Sequence, residues 1–311
     1  MLWDDVETFI AVVEAGSLSA VARRRECTQP AIGQRIRRLE KEVGLALLER
    51  RRSGVIPTSA GTTLYDAAVE AMGSLATGLE AIRRARGEHR PLRIAAGETT
   101  VRRLMVPPLA GLLTDHPELE VNLMGVVTAA TAIDDLQSGR IDMAFLAFTE
   151  LAPPGLERHP LLRTRWSLVT GLDDPLGSAE PLHLADLNTS RLIGNTRQAL
   201  GSSINRMMES AFAAEGVILE PHTTIVGWDT QLMLVEAGLG HAVVPTLWTR
   251  GIDARVAERP LPHIPALTFG WLTRRWTSLP KPALDYANRL HDHLARLAVG
   301  AGVQVFPPVA S

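Results

Sequence analysis

Residues 17–52, SLSAVARRRECTQPAIGQRIRRLEKEVGLALLERRR, constrain this chain more than any other stretch. Ile32, Ile36, Leu39 and Val43 recur at steps of four, three and four, so residues 28–43 place one apolar stripe along a helix. Its other faces carry Gln29, Gly33, Gln34, Arg35, Arg37, Arg38 and Lys41. Thr28 is a good N-cap, and Pro30 in the first turn sacrifices no hydrogen bond, because the leading N–H groups have no intrahelical partner. A shorter helix precedes it: Ser17 caps a segment whose Leu18, Val21 and Ala22 face inward, and Glu26 and Cys27 leave only a tight connection. Two helices joined this closely predict a helix-turn-helix whose second member enters the DNA major groove.

Charge supports that reading over a merely solvated basic face. Residues 23–52 hold ten Lys or Arg against four Glu, whereas residues 1–22 hold four acidic side chains and no basic one. The whole chain carries a formal charge of −2, divided as +2 over residues 1–90 and −4 over the rest, which fits a local nucleic-acid site and not a basic coating protein. At 311 residues and 46% hydrophobic, the chain can bury substantial cores in two or three domains. Cys27, the single cysteine, excludes an intramolecular disulfide and a cysteine-built metal cluster. Asp4 and Asp5 stand where a secretory signal has positive charge, and no apolar run approaches the roughly 18 residues of a membrane span. The expected location is cytoplasmic, with no membrane partner.

Asp4 or Asp5 starts a first helix with Val6, Phe9, Ile10 and Val13 on one face, ended by Gly16. Residues 45–57 read as a two-stranded wing around Arg50, Arg51, Arg52, Ser53 and Gly54, cationic enough to reach phosphate or the minor groove. Thr58 caps the longest helix, to about Arg86, in which Gly61, Leu64 or Tyr65, Ala68, Met72, Leu75, Leu79 and Ile82 follow an alternating three-four spacing. Nothing nearby in sequence covers that seam, which predicts a helix partner from a second subunit. Residues 86–91 then break the helix as a hinge. From Leu92 onward short β-rich runs alternate with helical ones, the pattern of α/β units with largely parallel sheets.

The run TQPAIGQRIRRLEKEVGLALLERRRSGVIPTSAG resembles the DNA-binding signature of LysR-type transcriptional regulators: a Ser/Thr-Gln-Pro-Ala helix start, then Arg-Leu-Glu, Gly, a Leu-Phe-x-Arg entry to the wing and Thr-x-Ala-Gly. Gly33 stands where the family has Ser, Gln34-Arg35 reverses the usual order, and Ser53 replaces a common wing Arg, so base reading is expected to differ. The resemblance extends to the whole layout. It implies an N-terminal all-α winged helix-turn-helix over residues 1–57 and a linker and dimerisation helix with hinge over 58–90. Residues 91–299 would be an α/β effector domain of two subdomains, like a periplasmic solute-binding protein, and 300–311 a loose tail. Strands near residues 162–167 and 265–268 would cross between its halves. It further implies a homodimer or homotetramer on an imperfect inverted-repeat operator in double-stranded DNA, RNA polymerase as a further partner, and a small-molecule effector.

The residues expected at DNA are Thr28, Gln29, Pro30, Gly33, Gln34, Arg35, Arg37, Arg38, Arg50, Arg51 and Arg52; those at the dimer seam are Leu64, Ala68, Met72, Leu75, Leu79 and Ile82. Ligands of open α/β sheets collect beyond the carboxyl ends of strands, where helix N-termini present free N–H groups. Glu98, Thr99 and Thr100 follow the first such strand, Thr128 the second, and Asn195 with Thr196, and Trp228 with Asp229, two later ones, with Phe148 as a wall. Any one hydroxyl reads more readily as a plain helix cap; several convergent ones suit a carboxylate effector, with Glu98 and Asp229 available to an amine or hydroxyl provided they face inward. No nucleophile elbow, P-loop, HExxH or dinucleotide fingerprint occurs, and His291 and His293 share a helix at i, i+2, so neither catalytic residues nor a cofactor or metal are expected. A constitutive DNA-binding protein with a purely oligomerising C-terminal domain, and an enzyme with an appended DNA-binding head, remain the alternatives.

Overall fold

The computed structural model describes residues 3–51, 54–85, 90–125, 128–148, 153, 155–188, 191–195, 201–249, 255–262, 264–298 and 302–309. It divides into two units: Met1–Arg83 with Pro153–Leu156, and Arg84–Ala152 with Glu157–Ser311. Among the described residues no helix is long and apolar enough to cross a membrane.

The smaller unit begins with α1 (Trp3–Ala15), α2 (Leu18–Arg24) and α3 (Gln29–Val43). Ser17 caps α2 by accepting from the Ala20 N–H, Thr28 caps α3 by accepting from the Ala31 N–H, and Gly44 closes α3 in the left-handed region at φ 78°. Phe9, Val12, Val21, Ile32, Leu39 and Leu47 are fully or almost fully buried together. Val43, the last residue of the predicted stripe, lies outside that core, at 39% exposure. The wing pairs β1 (Leu48–Arg51) antiparallel with β2 (Gly54–Pro57). α4 (Ser59–Ala85) follows, its start capped by Thr58, whose hydroxyl accepts from the Gly61 N–H and donates to the Ala46 carbonyl. The predicted hinge falls mostly on residues 86–89, outside the described residues.

The larger unit holds two sheets. One has the order β4-β3-β5-β12-β6-β13, from β3 (Leu92–Ala96), β4 (Val121–Gly125), β5 (Met143–Phe148), β6 (Glu157–Thr164), β12 (Leu267–Thr273) and β13 (Gln304–Val305). The other has the order β11-β7-β10-β8-β9, from β7 (Trp166–Gly171), β8 (Leu192–Asn195), β9 (Thr223–Ile225), β10 (His241–Pro245) and β11 (Val256–Leu261). The chain passes between the sheets at Arg165 and again between Leu261 and Leu267. Both sheets are mixed, which corrects the expectation of largely parallel ones: β3, β4 and β5 are parallel, as are β8, β9 and β10, but β6, β7, β11 and β12 pair antiparallel. Only the end of β6 falls within the crossing expected near residues 162–167; the rest escapes sequence reading because ERHPLLRT mixes charges with Pro160. The fold accommodates that proline at a register shift between Phe269 and Gly270, where a Cβ on Gly270 would lie 2.2 Å from the His159 carbonyl oxygen.

Helices cover these sheets: α6 (Val106–Asp115), α7 (Ala129–Gln137), α8 (Gly201–Ala214), α9 (Trp228–Glu236) and α10 (Lys281–Ala298). α6 is preceded without a break by a short α5 (Glu98–Thr100) and a π-turn (Val101–Met105). Thr100 therefore lies inside a helix capped by Gly97, not at its start. Trp166, Trp228, Trp248 and Phe269 pack edge to face or tilted beside the first crossing, with centroids 4.8–6.5 Å apart.

Candidate nucleic-acid interface and effector cleft

The polar faces of α3 divide in two. Arg38 grips the buried Asp5 carboxylate through Nε and Nη2, and Arg35 reaches Asp4, so both side chains tie α3 back to α1. The hydrogen-bonded Arg38 guanidinium holds the Asp5 carboxyl below the usual carboxylate range. Arg35 and Arg38, both expected at DNA, therefore already have partners in the acids of the first helix. Gly33 is corrected, since it is buried and a Cβ there would stand 3.9 Å from Leu18 Cδ2, which puts it on the face packed against α2. Gln29, Pro30, Gln34 and Arg37 are exposed, and Gln29 Oε1 accepts a hydrogen bond from the Ser19 hydroxyl at 3.0 Å. Thr28 is engaged as the cap.

The wing is held from behind. Glu40 Oε1 accepts from the backbone N–H groups of Leu47 (2.9 Å) and Leu48 (3.3 Å), and the Thr58 N–H donates to the Leu47 carbonyl at 2.9 Å. Sequence reasoning noted Glu40 only as part of the Arg-Leu-Glu run and gave it no role; nothing in its spacing separates it from Glu42 on the same helix. Arg51 is exposed with Glu49 at 3.4 Å, the Arg50 backbone pairs with Val55, and Arg52 lies outside the described residues.

α4 splits the predicted dimer seam. Ala68 is buried, and Leu64 and Met72 pack with it onto the core of the head itself, so this half is covered from within the chain. Leu75, Leu79 and Ile82 continue the spacing at 51%, 48% and 58% exposure.

In the larger unit, Thr99, Asn195 and Asp229 come together. The Asp229 N–H donates to the Thr99 hydroxyl (3.3 Å), the Gly227 N–H donates to Asn195 Oδ1 (3.2 Å), and a Cβ on Gly227 would stand 3.8 Å from Thr99 Oγ1. Asn195 Nδ2 also donates to Gln231 Oε1, so its amide is spent on the start of α9. Asp229 is not free for an amine, because Arg102 and Arg103 both bind its carboxylate. Trp228, expected in the ligand site, is a core residue 6% exposed within the aromatic cluster. Thr128 is a plain cap, accepting from the Thr131 N–H. Phe148 lies under the Arg158 guanidinium at 5.2 Å, Glu98 is exposed, Thr100 is buried and Thr196 lies outside the described residues. The arginines at 102 and 103 were missed by sequence reading, although two adjacent cations just beyond a strand's carboxyl end were there to be noticed.

Residues 3–62 match the family described as bacterial regulatory helix-turn-helix protein, lysR family, and residues 85–295 match the LysR substrate binding domain. The chain is 29% identical over 306 residues to the small neutral protease regulatory protein of Streptomyces coelicolor, covering 96% of this chain and 92% of that one. It is 36% identical over 143 residues to the HTH-type transcriptional regulator ClcR of Pseudomonas putida, covering 45% and 48%. Full-length BenM shares the fold at TM-score 0.54 and 22% identity over 100% of both chains. OxyR of Corynebacterium glutamicum does so at TM-score 0.53 and 21% identity over 96% of both. With a helix-turn-helix head and an effector-binding domain both matched, the chain belongs to the LysR family of transcriptional regulators.

Proposed function

We propose that this regulator works as a symmetric dimer in which a small carboxylate, bound between the lobes of the larger unit, resets the spacing of two DNA-binding heads. The observation that carries the DNA side is the division of α3: Arg35 and Arg38 hold the helix, leaving Gln29, Gln34 and Arg37 outward. Glutamine amides have the geometry to read adenine in the major groove, while Arg37 and the wing arginine Arg51 suit phosphate. Pairing of Leu75, Leu79 and Ile82 with a second copy would remove a row of apolar side chains from water, and a two-fold dimer calls for an inverted-repeat operator. Assembly to a tetramer, contact with RNA polymerase, a cytoplasmic location and sensing without turnover of the ligand belong to the same reading.

The test is selection of binding sites from a random DNA pool, followed by anisotropy titrations at several salt concentrations. Gln29→Ala should cost about 1–3 kcal/mol on the selected site and relax one base position. Arg37→Ala should weaken all sequences alike and lower the salt slope by about one. A parent protein that enriches no sequence would sink the proposal.

A further inference from the structure

One carboxylate bridges the two lobes, and two arginines hold it. Asp229, at the start of α9, accepts from Arg102 Nε at 2.8 Å on one oxygen and from Arg103 Nε on the other, while its own N–H donates to Thr99. Three residues on one lobe thus hold a single residue on the other. Side chains one apart on a regular helix diverge by about 100°, and the wider π-turn over Val101–Met105 brings these two arginines onto the same partner. Two guanidinium groups face this one carboxylate. Asp229 and Arg103 side chains are 13% and 21% exposed, whereas Arg102 is 62% exposed and gives Asp229 only its Nε. The Nη edge of Arg102, the fork that pairs best with a carboxylate, is not used by Asp229.

We propose that Arg102 is the anchor for an anionic, carboxylate-bearing effector and that Asp229 is its built-in competitor. The inference rests on the cleft being the sensing site and adds to it a residue and a mechanism. An arriving carboxylate takes the Arg102 guanidinium in place of Asp229, and the lobes then lose one of the three bonds joining them at this point. A tethered competitor acts at a high effective concentration, so it sets the ligand level at which the lobes part.

Thermal unfolding of the full-length protein tests this with acetate as probe, acetamide as its neutral counterpart and sodium chloride at matched ionic strength as reference. Acetate, and not acetamide, should raise the melting temperature of the parent. Asp229→Asn keeps the size of the side chain and removes the competing charge, so half of the acetate effect should be reached at about ten-fold lower concentration, the worth of one charge-assisted hydrogen bond. Arg102→Gln should abolish the acetate-specific shift, alone and combined with Asp229→Asn. Arg102→Gln responding like the parent, Asp229→Asn no more sensitive than the parent, or a parent with no acetate-specific response would each overturn the proposal. DNA binding measured beside a mixed metabolite extract separates the two levels. If the extract shifts DNA affinity while acetate does nothing, the anchor is wrong and the sensing cleft stands; if no extract shifts it, the cleft reading itself falls.

Discussion

Replacing Gly61 and Gly78 by alanine, one at a time, makes the same chemical change in the same helix and should move stability in opposite directions. In an exposed helix interior, alanine exceeds glycine by about 1 kcal/mol through backbone entropy alone. A methyl group added at Gly78 would meet nothing within 4 Å, so Gly78→Ala should realise most of that gain. At Gly61 a Cβ would lie 2.0 Å from the Leu47 carbonyl oxygen and 3.0 Å from its carbon. The neighbour is backbone, and it is fixed: Leu47 is fully buried, and its carbonyl accepts from the Thr58 N–H at 2.9 Å. Because ordinary contact begins near 3.4 Å, relief requires a backbone shift of more than 1 Å. Overpacking of this kind costs about 1–3 kcal/mol, and losing the Thr58 hydrogen bond adds about 1. Set against the helix gain of about 1 kcal/mol, Gly61→Ala should destabilise the head by about 1–3 kcal/mol. The displaced segment leads into the wing, so DNA affinity should fall with it. Urea unfolding followed by circular dichroism, with anisotropy on a selected DNA site, measures both. If the two variants stabilise alike and bind DNA alike, the close approach of α4 to Leu47 does not exist.

Leu75→Glu places a carboxylate in the exposed half of the α4 seam and should dissociate dimers in sedimentation without unfolding the head, whereas Ala68→Glu should unfold it, because Ala68 is buried in the head's own core. Intact dimers in Leu75→Glu would mean that association is built elsewhere. Glu26 sits in the turn between α2 and α3 at φ 52°, so Glu26→Gly should stabilise by about 0.5–1 kcal/mol by relieving left-handed strain; a loss of stability would refute this. Burial keeps the His241 imidazole, bonded to the Leu187 carbonyl, below its ordinary pKa. The unfolded chain then binds the proton first, so stability is full above about pH 6.5 and declines as pH falls through the lower folded value. The urea midpoint should drop as pH falls below about 6.5, and less steeply in His241→Gln. Asp5 acts at a lower pH: its contribution is present at neutrality and is lost only as pH falls below about 4, through its depressed folded pKa.

What the sequence determined by itself was everything decided within a turn or two of chain. The cap at Thr28, the stripe through Ile32, Ile36 and Leu39 and the alternation of strands and helices after Leu92 were legible because helix and strand periods are short, and each contact partner lies a few residues away. So was the placement of a basic helix behind a tight turn, and with it the family. The structure decided whatever depends on which faces meet. A helical wheel sets Arg35 and Arg38 on one side and Arg37 on another, but only the docking of α1 turns the first two into internal ties through Asp4 and Asp5, about thirty residues away. One regular seam on α4 becomes half core and half open surface because the head folds back onto Leu64, Ala68 and Met72. Adjacent Trp228 and Asp229 part ways, one into the aromatic cluster and the other onto arginines some 127 residues distant in sequence. Sequence spacing carries no record of such pairings, because the free energy that selects them comes from burial and charge contacts made only after distant segments pack together.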